Sequence, residues 1–355
     1  MISFSLTEDQ KIARSTAADF GRRVARPRAR EPDEAGEFPA GLLEAVWRLG
    51  LVQTVAAGDL PEQPTVLNAL VLEELAHGDA ALAMALAAPL GFAKAIAENG
   101  SEAQKRAYLP AFAGDEPRLA AIAHTEAGWM RGAGQSTRAE TVAGGWRLDG
   151  VKALIPLAGR CERLLVTAET SNGPSAFVVA GSAPGVRVGS AKGTLGMRAL
   201  RMADVAFDGV IVGEDVRLAA DPRRVVDASR VALCALLAGV SRAVLDHAVP
   251  YAKQRIVHGE AIARKQAIAF KLADMHIAVQ AMRWMGLRAA AELDASPTAT
   301  RNARLAQRYA AENGMKVADE GVQVFGGYGF VRDLPLEMWY RNARSLSVLD
   351  GCVGV

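Results

Sequence analysis

The sequence is poor in cysteine and carries almost no net charge. Its 355 residues include three cysteines, Cys161, Cys234 and Cys352, which never form a Cys-x-x-Cys pair. This spacing excludes a disulfide framework and a cysteine zinc site, and it favours a reducing, cytoplasmic compartment. With 41 Lys and Arg against 39 Asp and Glu, the formal charge of +2 argues against a dedicated nucleic-acid-binding protein.

Signals for export, membrane insertion and several common active sites are also missing. Residues 1–11 lack a basic stretch followed by an apolar run, so we expect no secretory signal. No uncharged run approaches the ~20 residues of a membrane span, so none is expected. The five histidines show no metal-ligand spacing, and we find neither a Gly-x-Gly-x-x-Gly fingerprint between a strand and a helix nor a glycine-flanked serine elbow. The sequence therefore predicts no metal site, no Rossmann cofactor site and no serine hydrolase.

The hydrophobic period changes twice along the chain. Apolar residues recur at three- and four-residue steps in the first third, short runs rich in Val and Thr follow, and the helical period returns after Asp221-Pro222. This order predicts an α+β fold in which a small antiparallel β domain lies between two helical bundles, rather than an alternating βαβ sheet. We place the domains at residues 1–117, 118–220 and 221–355.

Local signals add detail to this outline. Ser101 is placed to cap the start of a helix, and Gly100 is placed to end the helix before it. Asp149-Gly150 and Asn172-Gly173 are dipeptides typical of β-hairpin turns. We therefore expect hairpins at both places.

Two short segments could carry chemistry. Asp350, followed by Gly351, is either a carboxylate base on a tight turn or simply a turn residue. The glycine-rich block at residues 325–330 lets another group approach the backbone closely, as a helix-to-loop corner or as a phosphate cradle. The residues alone leave both alternatives open.

Several short motifs occur along the chain in a familiar order and spacing. They are Leu72-Glu73-Glu74-Leu75-Ala76, Asn99 to Lys105, Tyr108-Leu109-Pro110, His124-Thr125-Glu126, Gly196-Met197-Arg198, Phe207 to Val210, Arg255 to Gly259, Gln266-Ala267-Ile268 and Gln323 to Phe330. Together these motifs give the whole chain a resemblance to the acyl-CoA dehydrogenase family of flavoproteins.

The resemblance implies a helical, β, helical fold, an FAD cofactor, an acyl-CoA substrate and a homotetramer or related assembly. An electron-transfer flavoprotein is among the partners that the resemblance allows, and the identity of the electron acceptor stays open. In the implied reaction a carboxylate removes the α-proton of the thioester while the β-hydrogen passes as hydride to the flavin. Asp350 stands where the family has a Glu base, and Arg230 matches an arginine near that base. Some family members use instead a Glu at the position of Ser229, so that substitute is missing here.

The resemblance also divides the cofactor contacts into two sets. One set reaches from each subunit to the pyrophosphate and adenosine of its neighbour's FAD. Here that set consists of Arg255, Gln266, Gln323, Gly326 and Gly327, and it is largely kept. Arg255 offers a permanent charge, and the two glycines allow the backbone to approach phosphate.

The other set, which holds the flavin ring of the subunit's own FAD, departs from the family pattern. Thr125 is kept, but Arg131 replaces a serine that faces phosphate and substrate, and Cys352 replaces a threonine that contacts FAD. Leu154 and Pro156 replace a tryptophan and a threonine, so neither indole stacking nor a hydroxyl or N–H donor is available there. By the same resemblance, the segment that normally closes the substrate pocket is expected to be missing after Val355.

Three hypotheses follow from this division. In the first, the chain is the divergent partner in a heteromeric α2β2 acyl-CoA dehydrogenase, acting on a bulky or steroid-type acyl-CoA with a homologous catalytic subunit. In the second, it is an autonomous homo-oligomeric dehydrogenase that uses Asp350 as its base. In the third, it is a non-catalytic scaffold or binding protein.

Overall fold

The computed structural model describes residues 5–128, 135–219, 221–296 and 301–355. Its first part is helical, and a π-helical stretch at Gly21–Ala25 follows directly on the first helix. The helices are α1 (Glu8–Phe20), α2 (Arg26–Arg28), α3 (Arg30–Ala35), α4 (Leu42–Trp47), α5 (Leu51–Ala57), α6 (Pro64–Gly78), α7 (Ala80–Asn99) and α8 (Glu102–Tyr108).

Capping residues set the starts of several of these helices. Thr7 and Ser101 each form a capping box, in which the hydroxyl accepts a hydrogen bond from the N–H of the glutamine three residues on, and the side-chain oxygen of that glutamine accepts one from the N–H of the cap residue. Asp79 caps α7 by accepting from the N–H of Ala81 at 2.9 Å. The predicted start at Ser101 and the predicted end of α7 at Gly100 are therefore confirmed.

The middle part is a curled sheet between the two helical parts. Its strands are β1 (Ala120–Ala123), β2 (Arg138–Val142), β3 (Gly145–Ile155), β4 (Arg163–Thr170), β5 (Gly173–Ala180), β6 (Val186–Val188) and β7 (Ala203–Gly213). The pairs β2–β3, β3–β7, β4–β5 and β6–β7 are antiparallel, as expected. Strand β4 also pairs in parallel with β1 and, at one residue, with β2.

One of the two predicted hairpin turns is wrong. Asn172-Gly173 does connect β4 to β5. Asp149-Gly150 instead lies within β3, where the register against β7 shifts. Gly150 has φ +153°, and a Cβ there would come within 2.8 Å of atoms of Thr137. The dipeptide therefore marks a bulge that needs glycine because Thr137, the residue before β2, passes close to it.

The last part is a helical bundle made of α9 (Pro222–Gln254), α10 (Gln266–Ala295), α11 (Arg301–Phe325) and α12 (Leu336–Leu346). A short hairpin of β8 (Ile256–Val257) and β9 (Glu260–Ala261) joins α9 to α10. Helix α9 packs against α6 and α7 as well as α10, α11 and α12. Helix α7 also contacts β1, and residues of α7, α9 and β1 surround one small cavity, so the three parts of the chain meet there.

Helices α7 and α9 are long and apolar enough to cross a membrane, which counting uncharged runs did not reveal. Within this protein, 94% of the apolar window of α7 and 83% of that of α9 are buried. Burial of this kind is typical of core helices, so these helices are weak evidence for a membrane span.

Candidate active site and cofactor surface

Asp350 lies just after α12, at the junction of the β domain with α9. The Thr125 hydroxyl donates a short hydrogen bond to the backbone carbonyl of Asp350. Gly351 has φ +63°, and a Cβ on it would lie 2.4–2.6 Å from atoms of the His124 side chain. Glycine is therefore required here, both for the turn and for the close approach of β1.

The Asp350 carboxylate is bound at both oxygens by one arginine. Arg230 donates from Nε to Oδ1 at 3.1 Å and from Nη2 to Oδ2 at 2.9 Å. The same guanidinium donates from Nη1 to Oδ1 of Asp227 at 2.8 Å. Asp227 and Arg230 are three residues apart on α9, so they lie on one face of the helix. The structure thus places the predicted pair Asp350 and Arg230 together and adds a second carboxylate.

The two carboxylates differ in burial. The side chain of Asp227 is 1% exposed, and its Oδ2 has no hydrogen-bond partner among the described residues. Burial raises the pKa of Asp227, and its bond to Arg230 opposes that rise. The Asp350 side chain is 38% exposed. Burial by itself lowers the pKa of Arg230. Hydrogen bonds to both carboxylates outweigh burial, so the pKa of Arg230 is raised. The arginine therefore stays charged and fixes the orientation of Asp350.

A buried ion pair lies beneath this site in the β domain. Lys152 on β3 donates to Glu126 at 2.6 Å, and their side chains are 0% and 5% exposed. Glu126 also accepts from the hydroxyl of Ser136 at 3.0 Å and from that of Thr137 at 2.9 Å. Burial lowers the pKa of Lys152 to about 8 despite the attraction of Glu126.

His124 is held next to this pair. Its Nδ1 lies 2.9 Å from Oγ1 of Thr167, and its backbone carbonyl accepts from Lys152 at 3.1 Å. Burial, followed by the charge of Lys152, lowers the pKa of His124 to about 4. The imidazole is therefore neutral near pH 7, and it packs against Gly351 as an uncharged wall of the site.

The positions expected to hold a flavin ring are occupied by groups that serve other purposes. The hydroxyl of Thr125 is bonded to the Asp350 carbonyl. Leu154 has a left-handed backbone, φ +57°, and its N–H donates to Asp204 at 3.3 Å. Pro156 is buried and has no N–H to donate. Arg131 lies outside the described residues.

The residues predicted to reach a neighbour's FAD gather at one end of the C-terminal bundle. Aromatic stacking of Tyr251 on Phe325, with centroids 3.9 Å apart, brings the ends of α9 and α11 together. Lys271 near the start of α10 pairs with Glu320 near the end of α11. The set at this end is exposed to solvent throughout: Arg255, Gln266, Gln323, Gly326 and Gly327. We call these five residues the nucleotide corner.

The nucleotide corner has open space and an exposed cation. A Cβ built on Gly326 or Gly327 meets no atom of the described residues within 4 Å, so no described group covers their backbone there. The guanidinium of Arg255 lies 5.9 Å from the ring centroid of Tyr328, which is itself 56% exposed. The corner therefore offers a positive charge, an amide and accessible backbone to a group outside this chain.

Sequence reasoning missed two parts of the site. Asp227 stands three residues before Arg230 on a helix, a spacing that could have indicated the pair. The burial of residues 351–355 had no such signal, since they lie against helices more than 100 residues away in sequence.

Three family models match consecutive parts of the chain. They are described as the acyl-CoA dehydrogenase N-terminal domain, matching residues 7–116, the middle domain, matching 120–210, and the C-terminal domain, matching 222–355. An acyl-CoA dehydrogenase of Bacillus subtilis is 30% identical over 365 residues, which cover 98% of this chain and 95% of the relative.

Solved structures agree with these matches. Butyryl-CoA dehydrogenase from Megasphaera elsdenii superposes with a TM-score of 0.87 at 29% identity, covering 98% of this chain and 95% of that one. A chain from the structure of the electron transferring flavoprotein of Acidaminococcus fermentans superposes with a TM-score of 0.86 at 28% identity, covering 98% and 95%.

Proposed function

The chain belongs to the acyl-CoA dehydrogenase family, and from that premise we propose that it is the divergent subunit of a heteromeric, FAD-dependent acyl-CoA dehydrogenase. In this assembly a homologous subunit supplies the flavin-ring site and the base, and this chain supplies groups to the nucleotide half of the partner's FAD. When bound, FAD accepts the β-hydrogen of the thioester as hydride.

The observation that carries the proposal is the contrast between the two cofactor regions. The nucleotide corner keeps Arg255 and two accessible glycines, all exposed and directed away from this chain's own core. Those residues fit a diphosphate, which needs a fixed cation and backbone N–H groups. The ring region does not fit a flavin as well, because Thr125 is already bonded and Leu154 and Pro156 supply neither stacking nor a donor.

Substrate, acceptor, domain limits and location complete the proposal. We propose that the substrate is an acyl-CoA thioester with a bulky or steroid-type acyl group, on the basis of the resemblance to heteromeric family members. We also propose that the domains span residues 1–117, 118–220 and 221–355. The likeness to a chain from an electron-transferring flavoprotein structure supports such a protein as the electron acceptor. The cytoplasmic location remains a prediction.

A second candidate is the autonomous homo-oligomeric enzyme. The observation in its favour is the pair of bonds from Arg230, which orients the partly exposed carboxylate of Asp350 as a base would require. Asp is one methylene shorter than the family's Glu, and a displacement of about 1 Å can cost on the order of a hundredfold in rate.

Activity measurements separate these candidates. The chain is purified alone and after co-expression with a homologous dehydrogenase subunit, and reduction of an electron acceptor by acyl-CoA is followed. We expect turnover only in the co-expressed assembly. Turnover by the chain alone would establish the autonomous enzyme instead, and no turnover in either preparation would favour the scaffold.

A further inference from the structure

Residues 351–355, which we call the inner segment, run from Asp350 into the space between α7 and α9. The N–H of Gly354 donates to the carbonyl of Ala87 on α7 at 3.0 Å. The N–H of Val353 donates to Oγ of Ser229 on α9 at 3.4 Å. The inner segment is therefore bonded to both helices that bound this space.

Two glycines allow the inner segment to lie directly against α7. An ideal Cβ on Gly91 would lie 2.4 Å from the nitrogen of Gly354 and 2.6 Å from its Cα. A Cβ on Gly354 would lie 2.6 Å from the Cα of Gly91. Backbone thus meets backbone, and any side chain at either position would push the two apart.

The inner segment fills the space with apolar groups. Cys352, Val353 and Val355 are each at most 1% exposed. A cavity of about 10 Å³ remains beside Val355, lined by Gly91, Ile122 and the ion-paired Lys94, Glu98 and Arg224 among other residues. That volume holds about one water molecule and no acyl chain.

An acyl group that presents its α-carbon to Asp350 must place its hydrocarbon tail in apolar space next to that carboxylate. The apolar space between α7, α9 and β1 begins at the residue after Asp350, and the inner segment already occupies it. We propose that the inner segment closes the acyl channel of this chain, with Gly91 and Gly354 as the residues that determine this specificity. The inference rests on the proposed acyl-CoA chemistry, but it does not require the heteromeric assembly.

Binding across a chain-length series tests the closure directly. The full-length chain is titrated calorimetrically with CoA, acetyl-CoA, butyryl-CoA and hexanoyl-CoA. Each methylene that enters an apolar channel raises affinity about fourfold. We expect the affinity of the wild type to be the same for every chain length in the series, because the inner segment occupies the space that the acyl tail would enter. An affinity that rises with chain length in the wild type would overturn the proposal.

The double variant V353A/V355A opens the channel, since it removes two methyl groups at each position. We expect its affinity to rise about fourfold per methylene from acetyl-CoA to butyryl-CoA. V179A is the matched control, because Val179 on β5 is equally buried but lies in the sheet, on a strand that pairs with β4. A flat series, or no binding, with V353A/V355A would contradict the proposal.

Amide hydrogen exchange measured on the wild type tests the closure without requiring that any variant folds. We expect the amides of Val353 and Gly354 to be protected, and hexanoyl-CoA to leave that protection unchanged. Loss of protection on adding hexanoyl-CoA would show that the acyl group displaces the inner segment and would refute permanent closure. Neither measurement depends on flavin or turnover, so failure of the proposed function would be seen separately in the co-expression experiment.

Discussion

The guanidinium of Arg230 binds both carboxylate oxygens of Asp350, across 120 residues of sequence, and with its remaining nitrogen holds Asp227. One cation on α9 is therefore shared between two carboxylates of unequal burial. Both the stability of the protein and the assignment of the catalytic base depend on this arrangement. Unfolding free energies and turnover rates of variants measure the two separately.

Removing the arginine should destabilise the protein more than removing Asp350. In R230A the buried Asp227 loses its cation, and breaking a buried pair in this way costs about 3–5 kcal/mol of unfolding free energy. D350A should cost less, since Asp350 is over a third exposed. Urea denaturation of both variants measures the difference. R223A is the control, because its pair with Asp221 is exposed to solvent and should contribute little to stability. Equal, small losses in R230A and R223A would contradict the account.

Replacing the Asp350 carboxylate separates the two enzyme candidates. In the co-expressed assembly, D350N should leave kcat unchanged, because the α-proton is removed in the partner's pocket. Steady-state turnover of acyl-CoA with an artificial electron acceptor provides the measurement. A loss of about 10²–10⁴-fold, the usual contribution of a general base, would instead assign the base to Asp350.

Removing the positive charge of the nucleotide corner should weaken the binding of FAD. R255A should weaken FAD binding by the co-expressed assembly about 10- to 100-fold, the value of one lost charge-assisted hydrogen bond. Flavin fluorescence during dilution of the assembly gives the dissociation constant. R308A removes an exposed arginine from the first half of α11, outside the corner, and should leave FAD affinity unchanged. Equal effects of the two variants would argue against a role for the corner.

The neutral state of His124 predicts a defined pH dependence of stability. Because its folded pKa of about 4 lies below the ordinary value of 6.5, the unfolded chain binds the proton first as pH falls. The wild type should therefore lose stability relative to H124N between about pH 6.5 and pH 4, by at most about 1.4 kcal/mol per pH unit.

Chemical denaturation of both proteins across this range provides the test. Burial raises the pKa of Asp79 to about 7, which gives a slope of the opposite sign over the acidic range. That slope is common to both proteins and cancels in the difference. Parallel stability curves for wild type and H124N would mean that His124 is protonated as easily in the folded chain.

The contact between the inner segment and α7 predicts an unusual glycine effect. Alanine normally stabilises a helix interior by about 1 kcal/mol relative to glycine. G91A should nevertheless lower the unfolding free energy by about 1–3 kcal/mol, since its Cβ meets the backbone of Gly354. Thermal unfolding measures this, with G159A as the control because a Cβ there meets no atom within 4 Å in the part of the chain that the structure describes. A stabilised G91A would show that the inner segment does not pack as described.

Features set by neighbouring residues could be predicted from the sequence, and features set by distant ones could not. The cap at Ser101 and the hairpin at Asn172-Gly173 depend on a few adjacent residues, and both were predicted. Asp149-Gly150 has the same turn chemistry, but its pairing with β7 and its contact with Thr137 make it a bulge. The two residues of a turn dipeptide do not show which distant parts of the chain will pair with it or contact it.

The same difference between local and long-range features applies to the candidate site. The roles of Asp350 and Arg230 came from family resemblance, and their contact joins residues that no period or spacing connects. The nucleotide corner could be named residue by residue, but its assembly at one bundle end depends on how α9, α10 and α11 pack. The packing of Gly354 on Gly91 depends on a chain path that has no sequence signature.

The most direct test of the central claim is the number of flavins per chain. FAD released by denaturation is quantified against protein, for the chain purified alone and for its assembly with a homologous dehydrogenase subunit. We expect essentially no FAD in the first preparation and one FAD per catalytic partner chain in the second. One tightly bound FAD for every copy of this chain when purified alone would contradict the claim.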